Sequence, residues 1–577
     1  MSAKVLRPAA LAAFLAAAPT AFAQTPPPII ADSAIARPVV AAHGMVVTQE
    51  AVASQIGVDI LKKGGNAVDA GVAVAFALAV TLPRAGNLGG GGFMLIHRAD
   101  LNKTVAIDYR ESAPMLTSKD VFLDAKGEAD PFKSRFSGLA IGVPGTVAGM
   151  ELAWKKYGSG KFSFAELVAP ATKLAHDGLI VNEDLAETLV SAAPMLAKHA
   201  SAAHIYLHGD QSAPKIGEHI ALDDLAATLD AIAAQGAAGF YSGPVAQKLI
   251  AAVAAAGGRM SLEDLSAYRA IEREPVRGTY RGHEIVSMPP PSSGGVHIIE
   301  ILNILEGFPL PSEGLNSAKT IHDMAEAEKL AYADRAQYLG DPDFVSVPVK
   351  GLTSKTYAEH LRAGIPADRA RPEAEISPGG PERYESDQTT HYSIVDAAGD
   401  AVSNTYTLNF SYGSGLVADG TGVLLNNELD DFAAKPGAPN AYGLLGGDAN
   451  APGPGKRPLS SMSPTLVFKD GQLELVTGSP GGARIITTVL QIVLDVLDHG
   501  LNVAEAEAAP RVHHQGQPDE LRIERGLSPD TIHLLEGMGY KVTLREAMGS
   551  ANTIARKDGV LTGASDPRQR GTLAVGY

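Results

Sequence analysis

From Glu50 to Leu82 apolar residues recur at helical spacing, interrupted by KKGGN (62–66), whose glycines end one helix and whose Asn66 can cap the next. That next helix, AVDAGVAVAFALAVTL (67–82), is apolar nearly all round, yet it is too short for a bilayer and carries Asp69, so it reads as a buried core helix. RAGNLGGGGFMLIHR (84–98) runs a glycine cluster into an apolar strand over 93–96. No Gly-Lys-Ser/Thr ending or following helix makes it a phosphate loop, and the glycines read as points of close backbone packing. Between Phe136 and Tyr268 the pattern is mostly helical, with stretches such as DLAATLDAIAAQG (224–236) and AQKLIAAVAAAGG (246–258) closed by glycine. MPPPSSGGVHIIEILNIL (288–305) is a turn-rich lead followed by another apolar helix. AGIPADRARPEAEISPGGPERYESDQ (363–388) is polar, rich in Pro and Gly and without period, which predicts an exposed, flexible segment.

Beyond it the period shortens. TTHYSIVD, a turn at AAGD and AVSNTYTLN (389–409) predict a hairpin rich in β-branched and aromatic residues. GVLLNNELDDF (422–432), LVFKDGQLELVTG (466–478) and IARKDGVLTG (554–563) add strands, the last two around Lys-Asp-Gly turns. ITTVLQIVLDVLDHG (486–500) and DTIHLLEGMGY (530–540) return to helical spacing between them. The whole predicts a layered α+β sandwich.

Composition narrows the function. The 577 residues are 45% hydrophobic with 61 glycines, enough for a large core, and the net charge of -16 leaves no electrostatic footprint for nucleic acid or an anionic membrane. With no cysteine, disulfides, thiolate metal sites and cysteine nucleophiles are excluded, so a hydroxyl or carboxylate must carry any covalent chemistry. Lys4 and Arg7 precede an Ala/Leu-rich run that ends in Ala21-Phe22-Ala23, the pattern of a secretory signal peptide over 1–23, and TPPPII after it suits an extended leader. The protein is therefore expected to be periplasmic or secreted after removal of that peptide, with no stable membrane insertion.

There is no Gly-x-Ser-x-Gly elbow and no His-Glu-x-x-His helix. Another route to an activated hydroxyl is open. If the backbone breaks before a threonine, its new α-amine, which ordinarily titrates at about 7.7 to 8.0, lies beside its own hydroxyl and can serve as the base. Thr389 sits where such a break suits the chain, after an aperiodic loop and at the head of a strand. A three-residue turn over Ala397–Gly399 would pair Thr389 with Thr407 and project both side chains from one face. The adjacent His513 and His514 face opposite ways on a strand and read as structural, so no metal site is assigned.

DQTTHYSIVD, DYRESAP (108–114), NLGGGGFM, PPPSSGG, LLNNELDDF (424–432), KRPLSSMSPT (456–465), TGSPGGARI (477–485) and GASDPR, spread in order over nearly the whole chain, resemble the gamma-glutamyltransferase family. The tail QRGTLAVGY matches less well. The resemblance implies an N-terminal nucleophile (Ntn) hydrolase αββα sandwich, made as a precursor that cuts itself between Gln388 and Thr389 into associated subunits 24–388 and 389–577. It implies Thr389 as nucleophile, Thr407 as its hydrogen-bond partner, and Gly481 and Gly482 as an oxyanion hole. It further implies Arg110 with Ser460 and Ser461 on the substrate α-carboxylate, Asp431, Glu428 and Asn409 on the α-ammonium, and Tyr442 on a lid over 434–450. The activity implied is transfer of the γ-glutamyl group of glutathione and related compounds to water, amino acids or dipeptides, without a cofactor. Two alternatives stand beside it: a cephalosporin-type acylase acting on glutaryl amides, which the ammonium-binding Asp431 disfavours, and an uncut, non-catalytic periplasmic γ-glutamyl-peptide binding protein.

Overall fold

The computed structural model describes residues 36–376, 389–545 and 547–577; the signal-peptide expectation and most of the expected flexible stretch before Thr389 lie outside them. Two seven-stranded sheets stack face to face. One runs, edge to edge, Leu573–Gly576, Met45–Thr48, Thr390–Val395, Ala401–Thr407, Gly91–Arg98, Lys103–Tyr109 and Ile271–Arg273. The other runs Val39–Ala41, Val560–Ser565, Asn552–Lys557, Gln472–Thr477, Thr465–Lys469, His283–Ser287 and Val276–Tyr280. Helices Ala51–Lys62 and Ala67–Thr81 cover the outer face of the first; Gly294–Leu305, Ile485–Leu497 and Val503–Ala508 cover the second. The result is the expected αββα sandwich.

Every residue of helix 67–81 is buried, and Asp69 belongs to its capping box: Asn66 accepts from the Asp69 N–H at 3.0 Å while Asp69 accepts from the Asn66 N–H at 3.1 Å. The 390–407 hairpin shows how alternation makes a middle layer. On one face Tyr392 and Tyr406 donate to the carbonyls of Gly71 and Ala75 in that helix, at 2.9 and 3.0 Å. On the other, Ser393 and Ser403 donate to the carbonyls of Asn552 and Thr477 in the second sheet, at 2.7 and 2.9 Å. Both faces are buried, and each of these four hydroxyls carries a partner into the core with it.

The turn holds residues 397–399, with Val395 opposite Ala401 and Thr390 opposite Tyr406, so the same register sets Thr389 opposite Thr407. Both Lys-Asp-Gly turns have left-handed φ at their two central residues (50° and 75° at Asp470-Gly471, 51° and 80° at Asp558-Gly559), the geometry that matches strand twist in two-residue hairpins. The 89–92 glycines are packing points: a Cβ on Gly90 would lie 2.0 Å from the Thr407 carbonyl oxygen, and one on Gly92 2.4 Å from that of Thr405.

Two expectations fail locally. The strand expected over 422–432 stops after Val423–Leu424 and is followed by a single 3-10 turn, Glu428–Asp431. Asn426 is the cause: its amide donates to the carbonyls of Gly89 and Gly142 and its oxygen accepts from the N–H groups of Gly142 and Glu428, replacing ladder bonds with side-chain ones. The described part of the polar stretch, 363–376, is also partly docked: Glu373 and Ile376 are buried and Arg371 donates to Glu326 at 2.8 Å. The poorly matched tail forms the edge strand 573–576, and the Tyr577 carbonyl accepts from His43 N–H at 2.7 Å.

Candidate active site

Strand ends and turns converge at the head of the 390–395 strand. Thr389 is 4% exposed, with its Oγ1 3.5 Å from that of Thr407. Thr407 is fixed in turn: its hydroxyl accepts from Asn409 N–H at 2.8 Å, and its carbonyl accepts from the Asn87 side chain at 2.9 Å. Asn87 also accepts from the Gly90 N–H and the Thr146 hydroxyl, tying the glycine cluster to this strand end.

Arg110 follows strand 103–109 directly and is fully buried. Its Nη1 donates to Glu428, its Nη2 to Asp431 at 2.6 Å and its Nε to the Pro458 carbonyl at 3.1 Å. Glu111 points into the same cluster, 3.8 Å from the Arg110 guanidinium and beside the Glu428 carboxyl. Three carboxyls thus share one guanidinium. Burial pushes Glu111 up to about 7 and Glu428 well above the carboxylate range, and it raises Asp431 against the pull of Arg110. Burial by itself would make the Arg110 guanidinium easier to deprotonate, but Glu428, Asp431 and Glu111 together hold it above its ordinary value.

Tyr442 closes this space. Its hydroxyl donates to the Asn409 carbonyl at 2.9 Å and also contacts the Asn409 side-chain oxygen, while Asn440, two residues earlier, donates to Asp431 at 3.1 Å. Gly482 lies beneath the ring, where a Cβ would sit 2.5 Å from Cδ1 of Tyr442. Gly481 and Gly482 have φ of 136° and 55° and lead into the helix at 485; neither N–H donates to a protein acceptor among the described residues.

All the candidate residues except Gly481 and Gln388 line one small space of about 20 Å³. Gly481 faces instead, with Thr389, a cavity of about 760 Å³ whose far wall is helix Glu183–Leu196. Gln388 lies outside the described residues. The ligand roles expected for Arg110 on one hand and Glu428 and Asp431 on the other are, without a ligand, satisfied by one another. The histidine pair diverges: His513 meets Thr487 and Gln515, both at 2.9 Å, while His514 turns to Asp519 at 3.5 Å. Among the described residues there is no metal-ligating cluster and no helix long and apolar enough to cross a membrane. Asn87 and Glu111 escape a reading of the sequence although they stand within NLGGGGFM and DYRESAP, because the glycines and the arginine of those motifs carry the stronger signal.

A four-layer αββα sandwich with a threonine at the head of a central strand, a hydroxyl partner opposite and unengaged glycine N–H groups beside it defines an Ntn hydrolase. Residues 53–576 match the family model of gamma-glutamyltranspeptidase, and the chain belongs to that family. It is 54% identical over 99% of both chains to the glutathione hydrolase proenzyme of Escherichia coli K12. Among solved structures it resembles cephalosporin acylase from Bacillus halodurans (TM-score 0.84, 29% identity, 96% of this chain and 98% of that one). It also resembles Helicobacter pylori gamma-glutamyltranspeptidase (TM-score 0.56, 46% identity, 57% and 93%). The protein is an autoprocessed enzyme of this family.

Proposed function

We propose that the chain cuts itself between Gln388 and Thr389 and then works as a γ-glutamyltransferase and glutathione hydrolase. In the uncut polypeptide the Thr389 nitrogen is a peptide amide; scission makes it an amine and therefore a base. Thr389 Oγ1 attacks the γ-carbonyl carbon and its proton passes to that amine. Thr407 steadies the hydroxyl, and the N–H groups of Gly481 and Gly482 receive the oxyanion. Collapse breaks the amide bond, the leaving amine takes the proton, and a γ-glutamyl ester remains on Thr389. Water or the amine of an amino acid or dipeptide then attacks that ester, giving glutamate or a new γ-glutamyl amide and restoring the hydroxyl.

The observation that carries this reading is the excess of buried carboxyls around Arg110. A γ-glutamyl group brings an α-carboxylate for Arg110, Ser460 and Ser461 and an α-ammonium for Asp431, Glu428 and Asn409, so it separates the guanidinium from its acids while keeping every charge paired. A glutaryl group brings no cation and would leave the acids unpaired, which argues against acylase activity despite the overall likeness to a cephalosporin acylase. Room for about one water in the small space means that the segment carrying Tyr442 must lift for substrate and close over the acyl-enzyme. Leaving group and acceptor are assigned to the wide cavity. Removal of 1–23 leaves a periplasmic heterodimer of 24–388 and 389–577.

The test is direct. The purified protein should run as two fragments, the smaller beginning at Thr389 by mass, and should hydrolyse a γ-glutamyl anilide at least about a hundredfold faster (kcat/KM) than the glutaryl anilide, the scale set by the roughly 1–3 kcal/mol that an unpaired buried polar group costs. An intact 388–389 bond in active protein would overturn the proposal, and a preference for glutaryl substrate would replace it with the acylase.

A further inference from the structure

Arg335, near the end of helix Ala318–Tyr338, is 4% exposed, yet no carboxylate lies within ion-pair distance of it among the described residues. Three other buried arginines are neutralised by carboxylates: Arg110 by Glu428 and Asp431, Arg457 by Asp108 at 2.6 Å, Arg511 by Asp566 at 2.6 Å. An uncompensated buried cation is costly. Burial lowers the Arg335 guanidinium to about 10, and the carboxylate acting on it most is the more distant Asp431.

What Arg335 does touch are hydroxyls beside the small cavity. Its Nη2 donates to Ser461 Oγ at 3.2 Å and its Nε to Ser293 Oγ at 2.9 Å. Ser293 in turn donates to the Ser460 carbonyl through both its hydroxyl and its N–H, each at 2.8 Å. One guanidinium therefore braces both members of the Ser460–Ser461 pair. The donor pattern gives the direction. Ser461 Oγ accepts from Arg335 and Ser460 Oγ accepts from the Met462 N–H at 3.1 Å, but neither hydroxyl donates to an acceptor among the described residues. Two hydroxyl protons remain to be given, with an uncompensated positive charge behind them.

We propose that Arg335 is a positioning residue for the anionic end of the substrate: it turns the Ser461 hydroxyl outward, holds Ser460 through Ser293, and supplies the charge that makes this pair a carboxylate cradle. The inference rests on the γ-glutamyl reading above and adds a second cation to it. Arg110 meets the carboxylate in exchange for its own acids; Arg335 has no acid to release.

The experiment compares a γ-glutamyl anilide with the 4-aminobutyryl anilide, which keeps the amine and lacks only the α-carboxylate, using processed full-length wild type, Arg335→Gln, Arg335→Lys and Ser293→Ala. Appearance of both fragments reports folding and cutting. In Arg335→Gln the KM for the γ-glutamyl anilide should rise about tenfold or more, the loss of a charge-assisted contact, with kcat within about threefold and kcat/KM for 4-aminobutyryl anilide unchanged. Arg335→Lys should recover part of the discrimination, since it restores charge without the fork. Ser293→Ala should raise the γ-glutamyl KM about threefold, one weakened hydrogen bond's worth. Equal losses on both substrates, or an unchanged KM in a processed Arg335→Gln, overturn the proposal. If Arg335→Gln is not processed, undiminished discrimination in both Arg335→Lys and Ser293→Ala overturns it. Failure of the functional reading is distinguishable, because the wild type itself would then not prefer the γ-glutamyl anilide.

Discussion

On one side of Thr389 lies a space of about 20 Å³ walled by Arg110, Glu428, Asp431 and the Ser460–Ser461 turn and capped by Tyr442; on the other lies an open cavity of about 760 Å³ along helix Glu183–Leu196. In the first Arg110, Glu111 and Glu428 are buried and Asp431 largely so, held by bonds such as the 2.6 Å contact of Arg110 with Asp431. In the second, Arg84 and Asp184 pair at 2.9 Å in the wall, but the rim is solvated: Glu187 and Ser191 are exposed and Arg570 meets Glu183 only as a surface pair. Buried polar groups punish a mismatched ligand by several kcal/mol, whereas solvated ones adjust. The small side is therefore built to discriminate and the wide side to tolerate, which fits the proposed transfer from one acyl donor class to water, amino acids or dipeptides.

The most severe way to break the comparison is to remove the group both sides share. Thr389→Ala should give a single uncut band and lower turnover of γ-glutamyl anilide by at least about 10⁴-fold, the scale of losing a nucleophile. Thr389→Ser should still cut and turn over. A single-band Thr389→Ala with ordinary activity sinks the assignment.

Next in size comes Asp431→Asn. Truncating one partner of a buried charge pair costs about 2–5 kcal/mol, so kcat/KM for γ-glutamyl anilide should fall by roughly 30-fold or more, and the activity on glutaryl anilide should not fall with it. Parallel losses on the two substrates would mean that Asp431 only holds the fold.

The contrast also marks what the sequence could and could not yield. The hairpin was legible in its alternation, but its register was not: Thr389 falls opposite Thr407 only if the turn holds three residues, and it is the structure that supplies that turn. The core role of helix 67–81 was equally plain in its composition. The turn that presents Glu428 and Asp431 was not, since LLNNELDDF has strand propensity and only the long-range bonds of Asn426 to Gly89 and Gly142 override it. Arg335 left no local trace. Its helix, AKTIHDMAEAEKLAYADRAQY, looks polar enough for a surface, and it is buried through position 335 because other segments supply partners, such as Arg371 to Glu326 and the His514 N–H to Glu328.

A subtler probe of the small side is its proton. Burial raises Glu111 from 4.5 to about 7 in the fold, so the folded state holds a proton that the unfolded state has released above 4.5. The stability this gives is complete below the unfolded value and is lost as pH rises through about 7. Glu111→Gln should make the fall in Tm between pH 4.5 and 7 shallower than in the wild type, as read by thermal melts across that range. An identical slope would mean that Glu111 keeps an ordinary carboxylate's behaviour and that the cluster around Arg110 is not short of cations.

The smallest effect belongs to the wide side. Glu187 lines it and is exposed to solvent, so nothing is left buried when its charge is removed. Exposed substitutions of this kind stay within about 0.5 kcal/mol, and Glu187→Gln should leave hydrolysis of γ-glutamyl anilide unchanged within about twofold. With dipeptide acceptors it should move the acceptor KM by no more than about threefold, more for charged than for neutral side chains, because only a solvent-screened field at the rim is altered. Measuring acceptor KM at low and high salt separates the two sides cleanly: the Glu187→Gln difference should vanish as salt screens it, whereas the Asp431→Asn defect, sited among largely desolvated charges, should persist. A salt-insensitive acceptor defect in Glu187→Gln would show that the wide cavity also binds through fixed, desolvated contacts and that tolerance there has another origin.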